Sequence, residues 1–93
     1  SKARADICFL GVGGISKNGI STYALPETAV NRVILERTTG HRIIVTEGFK
    51  VGRDSNFHTA ECNMITHLIT DHTADPETVA YLKSIGVKVL FIS

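Results

Sequence analysis

The sequence lacks most of the features that name a chemistry outright. Cysteine occurs twice, at Cys8 and Cys62. Two cysteines make neither a disulfide framework nor a CxxC metal pair, so a reducing, cytoplasmic setting is the default. An excess of one charge is missing: ten Lys and Arg against nine Asp and Glu leave +1, which gives no basic field for nucleic acid and no acidic tail. The longest apolar stretches, residues 7–15 and 87–92, fall far short of the roughly 20 residues that span a bilayer, so no membrane role is expected. No signal-peptide pattern opens the chain. Low-complexity linkers are absent too, and the 93 residues read as a single domain or a piece of one. The first residue is Ser1 and not a methionine, which fits a processed chain or one cut from something longer.

What is present suits one modest core. A folded chain of this mass exposes roughly 5,300 Å² and buries about 64% of its unfolded surface. Residues 6–12, DICFLGV, form a short, nearly continuous apolar run, which predicts a strand buried on both faces. Gly11, Gly13, Gly14 and Gly19 follow closely and mark an irregular loop, with residues 16–19 as a tight turn. Pro26, Glu27 and Thr28 open a helix in which Val30, Val33, Ile34 and Arg37 keep helical spacing until Gly40. Residues 42–46 read as a second strand. The polar segment 47–57 reads as a loop leading to a short helix near residues 59–63, and residues 65–70 as a third strand. Asp75 is a good N-cap for a helix at Pro76 whose inner face is Val79, Leu82 and Ile85, with Gly86 at its C′ position. Residues 87–92 form the last strand. Strands alternating with helices predict an α/β fold, a mainly parallel Rossmann-like βαβ sheet.

In such sheets ligands bind beyond the carboxyl ends of the strands. The glycine loop, residues 47–53, residues 70–72 and the helix start at Pro26 should all reach that edge. Spacing places Glu27 on one helical face with Val30 and Ile34, turning its carboxylate inward. Gly11, Gly13 and Gly14 with Ser16, Ser21 and Thr22 would form a nest of backbone N–H groups for an anion. Lys50 and Arg53 are candidate phosphate groups, and Asp71 ends a strand at the same edge. The run from Gly11 to Ser16 imitates a dinucleotide fingerprint without its third glycine and opens no helix, and a Walker A loop is absent. His41, His58, His67 and His72 show no ligand spacing, so no metal or other cofactor is expected. Cys8 reads as a core residue, and Cys62 has no fixed basic neighbour that would activate a thiol.

Three stretches resemble the C-terminal effector-sensing domain of DeoR-type bacterial transcriptional regulators. The first is residues 5–16, ADICFLGVGGIS, followed by residues 18–22, NGIST. Glu27 with residues 29–32, AVNR, is the second. Residues 68–71, LITD, then Pro76 and Leu82 to Val87 make the third. One stretch departs: where the family carries an aspartate, two serines, a lysine and a later glycine, residues 47–52 are EGFKVG. Lys50 and Gly52 are kept, Glu47 replaces the aspartate, and Phe49 takes the place of the serine before the lysine.

The resemblance implies a non-enzymatic sensor of a phosphorylated sugar or polyol. Its site would be drawn from Gly11, Gly13, Gly14, Ser16, Thr22, Glu27, Lys50 and Asp71. It implies that residues 1–93 are the later part of a sensor domain of roughly 150–160 residues, a normal domain size. The parent would be an oligomeric regulator, a repressor, reaching operator DNA through a helix-turn-helix domain that this chain does not contain. The family's sensor fold is similar to ribose-5-phosphate isomerase A, which supplies an enzyme alternative. Those isomerases carry two aspartates where this chain has Leu10 and Gly13, and proton shuttling needs a positioned acid and base. A purely structural oligomerisation module is the other alternative.

Overall fold

The chain crosses its main sheet in one direction. In the computed structural model, which describes residues 3–93, four parallel strands lie in the order β1 (Ala5–Leu10), β4 (Thr38–Val45), β6 (His67–Thr70), β7 (Lys88–Phe91). Parallel neighbours need long crossovers. Helix α1 (Leu25–Arg37) lies in the first, and α2 (Pro76–Ser84) forms the last. The α/β, mainly parallel reading therefore holds. The second helix follows its local signals closely: Asp75 Oδ2 accepts from Thr78 N at 3.0 Å and Thr78 Oγ1 at 2.7 Å, and Gly86 takes φ +93° beyond the helix end.

The glycine-rich stretch is more ordered than expected. Residues 11–22 hold a hairpin, β2 (Gly14–Ser16) and β3 (Gly19–Thr22), and β3 pairs in turn with β5 (Phe57–Ala60) to make a small antiparallel sheet. The expected tight turn is its tip, where Gly19 adopts φ +119°. Strand β5 and a 3₁₀ turn at Cys62–Met64 replace the short helix expected near residues 59–63. The β-branched residues on either side of Asn18 and Gly19 are the sequence signal for the hairpin.

Both helices contribute to one core. Leu10, Ile44, Leu68, Leu35, Val79 and Leu82 are buried together with Ile15, Ile20 and Val51. The opposite face of the main sheet is uncovered. Ile7, Phe9, Val45 and Leu90 are 46, 60, 43 and 52% exposed. The expectation that β1 is buried on both faces is corrected accordingly: its apolar run is continuous because both faces are apolar, but only Cys8 and Leu10 are covered.

Helix α1 also turns a different face from the one its periodicity suggested. It buries Thr28, Asn31 and Leu35, while Val30 and Val33 are more than half exposed and Glu27 is exposed. Polar contacts to the small sheet set this orientation. Thr28 and Thr22 share a buried hydroxyl–hydroxyl hydrogen bond, and Arg32 Nε donates to the Thr59 carbonyl at 2.9 Å. The helix ends at Arg37 and β4 begins at once, with Gly40 inside the strand where a side chain would strike the Asp6 carbonyl.

Candidate functional site

The carboxyl edge of the main sheet is built from the segment after β4. A 3₁₀ turn at Gly48–Lys50 begins it, and the segment is stitched to its neighbours on both sides. Towards the hairpin, Val51 bridges Ile15, and Gly52 N donates to the Ile15 carbonyl at 2.7 Å. Towards β6, Gly48 N donates to Asp71 Oδ2 at 2.9 Å. Gly48 is required there, because a Cβ would collide with Asp71, Thr73 and the Ala74 amide. Of the four segments expected at this edge, the glycine loop (here a hairpin), residues 47–53 and residues 70–72 are joined by these contacts, which do not include the helix start at Pro26.

The candidate residues divide on closer view. Lys50 and Asp71 sit in adjoining loops tied by Gly48. Glu47 joins them: its carboxylate lies 3.5 Å from the Lys50 ammonium and it lines, with Thr46, Thr70 and Asp71, a cavity of about 250 Å³ at the ends of β4 and β6. The Thr46 and Thr70 hydroxyl oxygens are buried at these strand ends with no hydrogen-bond partner among the described residues. Gly13 and Gly14 serve packing. The Gly13 amide donates to the Ser21 carbonyl at 2.8 Å, and a Cβ on Gly14 would strike the Arg53 carbonyl. The nest of free N–H groups expected from Gly11, Gly13 and Gly14 thus loses the Gly13 amide to the hairpin. Gly11 is exposed, with open space around it. Ser16 lies at the hairpin tip, donating to Asp54, which also accepts from Asn18 Nδ2 at 3.0 Å. Thr22 is wholly buried beneath the start of α1. Glu27 points away from the core and makes no hydrogen bond or ion pair among the described residues, so the inward carboxylate expected from helical spacing does not form.

Tyr23, unassigned by sequence reasoning, completes the cluster. It follows β3 and contacts the segment after β4 from the opposite side. The Lys50 ammonium lies 5.8 Å from the centroids of both the Tyr23 and Phe49 rings, and the Lys50 side chain is only 20% exposed. Arg53 Nη2 donates to the Tyr23 hydroxyl at 2.7 Å, and its guanidinium lies 5.3 Å from the Phe49 ring centroid. No local pattern could have flagged Tyr23, because its partners are some 30 residues away. A larger hollow of about 410 Å³ between α2 and β7 is mostly apolar and holds none of the candidate residues.

The carboxylates of the site are held ionised. Side-chain and backbone donors from Thr73, with the Gly48 amide, lower the Asp71 pKa to about 2. Glu47 is lowered by its own backbone amide and then by Lys50. Cys62 is the opposite case: burial and Glu61 push its thiol up to about 11, and it donates to the Ser16 carbonyl at 3.0 Å. It is therefore no nucleophile.

A family model described as the DeoR C-terminal sensor domain matches residues 1–72, more than three-quarters of the chain, including the glycine hairpin, the segment after β4 and Asp71. The chain belongs to this sensor-domain family. No curated protein matches it.

One pH dependence follows. Asp71 has a folded pKa below its unfolded value of roughly 3.9, so its contribution to stability is complete above about pH 4 and disappears as pH falls through about 2. Thermal melts of the sensor domain and Asp71→Asn should differ most near neutrality and converge between about pH 4 and 2. A difference that does not change with pH over this range would remove Asp71 as the ionised tie between the β4 and β6 loops.

Proposed function

We propose that this chain is the effector-sensing part of a DeoR-type regulator and that its effector is a phosphorylated sugar or polyol. The observation that supports this most directly is the Lys50 ammonium. It is largely buried at the carboxyl edge between two aromatic rings, and its one ion-pair partner among the described residues is an exposed carboxylate. A phosphoryl group offers that ammonium a stronger partner. Glu47 and Asp71, which line the cavity at the ends of β4 and β6, offer acceptors for sugar hydroxyls. Gly11, at the end of β1, presents an open backbone approach, and Glu27 lies beyond the core at the start of α1.

The domain in this reading binds and does not turn over its ligand. Leu10 and Gly13 offer no acid or base where the similar isomerases carry aspartates, and Glu27 is exposed. Effector binding shifts the population of parent molecules competent for operator DNA, which a helix-turn-helix outside residues 1–93 contacts. We take the parent to be a cytoplasmic repressor and an oligomer. The uncovered face of the main sheet supports its being part of a larger sensor unit, since an apolar field of this kind is usually buried in an assembled protein.

The test is thermal shift against a panel of sugar phosphates and their free sugars. A ligand that binds only the native state at 100 times its Kd adds about 2.7 kcal/mol, on the order of 10 °C for a domain of this size. Lys50→Ala should abolish most of the shift by the ester and leave that of the free sugar. An authentic sugar-phosphate ligand whose shift is unchanged by Lys50→Ala would sink the assignment of phosphate to this edge.

A further inference from the structure

Among the described residues, Arg53 is the cation of the edge cluster with no carboxylate partner. Lys50 pairs with Glu47 at 3.5 Å, and the other ion pair among the described residues, His58 with Glu61, lies elsewhere. Asp54, beside Arg53 in sequence, spends its carboxylate on Ser16 and Asn18. Arg53 is nevertheless held in place: the Tyr23 hydroxyl accepts from its Nη2 at 2.7 Å, and Phe49 lies under its guanidinium at 5.3 Å. Lys50 approaches that same Phe49 ring at 5.8 Å. One aromatic ring therefore carries two cations close to it, an arrangement with mutual repulsion and an incomplete set of counterions.

We propose that Arg53 is a second anion-binding group of this site, that Tyr23 and Phe49 position it, and that Arg53 and Lys50 together select a doubly charged phosphoryl group over uncharged sugars. This rests on the reading of the carboxyl edge as the effector site. Guanidinium presents a planar fork of donors that matches phosphate oxygens, whereas the ammonium acts as a point charge. The competing carboxylates facing the cluster are Glu47 and Asp71. Asp71 is occupied by Gly48 and Thr73. Glu47 is 59% exposed, and an exposed pair of this kind is weak, so an arriving dianion displaces it into water and takes both cations. Phe49 stands where the family has a serine. Its ring is the platform that orients Arg53. Tyr23 joins the β3–α1 junction to the loop after β4, and a bound dianion tightens that joint.

The probe is inorganic phosphate, titrated into the full-length protein and followed by NMR of the Arg53 side-chain Nε–H and by a Kd from the same titration. The Arg53 signal should move, and Arg53→Gln should weaken phosphate binding roughly tenfold or more. Arg53→Lys should restore only part of the loss, because charge returns without the fork. Tyr23→Phe should weaken binding a few-fold in the native background and have no further effect beside Arg53→Gln. That non-additivity separates positioning of Arg53 from a general structural role. Absence of phosphate binding, or an Arg53→Gln variant within about twofold of the parent, overturns the proposal. If phosphate binds through Arg53 but no sugar phosphate shifts the melt, the clamp stands and the sugar reading fails. If a sugar phosphate binds and Arg53→Gln leaves its Kd unchanged, the reverse holds.

Discussion

Leu68→Ala should destabilise the domain by about 2–5 kcal/mol, a large share of the total when stability runs at roughly 0.05–0.15 kcal/mol per residue. Leu68 is wholly buried in β6, between Ile44 of β4 and Val89 of β7, so nothing can relax into the space it leaves without moving the sheet. The melting temperature should fall on the order of 10–30 °C. Leu90→Ala is the internal control. Leu90 pairs with Ile69 on the opposite face and is 52% exposed, so the same truncation should cost about 1 kcal/mol or less. Equal costs would mean that the covered and open faces of the sheet have been interchanged.

Gly14→Ala should have the largest effect on the ligand edge. The added Cβ meets the Arg53 carbonyl, the carbonyl carbon and the Ser55 amide, all backbone atoms that no rotamer change can clear. The hairpin must then separate from residues 51–55, breaking the bond from Gly52 N to the Ile15 carbonyl. Overpacking of this type costs about 1–3 kcal/mol, and the displaced segment carries Arg53 and borders Lys50. Phosphate binding should drop with stability. Gly11→Ala, where nothing lies within 4 Å and φ is not positive, should stay within about 0.5 kcal/mol of the parent. Intact phosphate binding in Gly14→Ala would show that the hairpin does not hold the loop after β4.

The parts of the fold that were legible from the sequence rest on local chemistry. Asp75 and Pro76 start α2 and Gly86 ends it, because capping and positive φ are decided within a few residues. The parallel character of the main sheet followed from the alternation of apolar runs with helix starts. What escaped is non-local. Helix α1 has its apolar residues on two sides, and periodicity alone selects Val30 and Val33. The buried side is instead chosen by Thr22 and Arg32, whose partners lie in a different sheet. The hairpin was marked by Asn18 and Gly19 but hidden by so many glycines around it. Of the candidate site, Lys50 and Asp71 were reached through the family likeness and the rule for sheet edges. Tyr23 and Arg53 meet only because β3 and the segment after β4 pack together, so no window along the chain contains the signal.

The strand order β1, β4, β6, β7 also sets a timetable for synthesis. Each strand joins the sheet beside the one made before it, so the sheet grows at a single edge in the direction of translation. At roughly 5–20 residues per second, β1 waits a few seconds for β4, and the later strands arrive at shorter intervals. Leu82 and Val87, which belong to the same core, are made after β1, β4 and β6. Until they emerge, the core face of the sheet has only the cover of α1, the hairpin and Val51, while Ile7, Phe9 and Val45 are in water on the other face. The growing sheet is therefore most adhesive after β6 has emerged and before α2 and β7 follow, and holdase chaperones that recognise apolar strands have their widest opening in that interval.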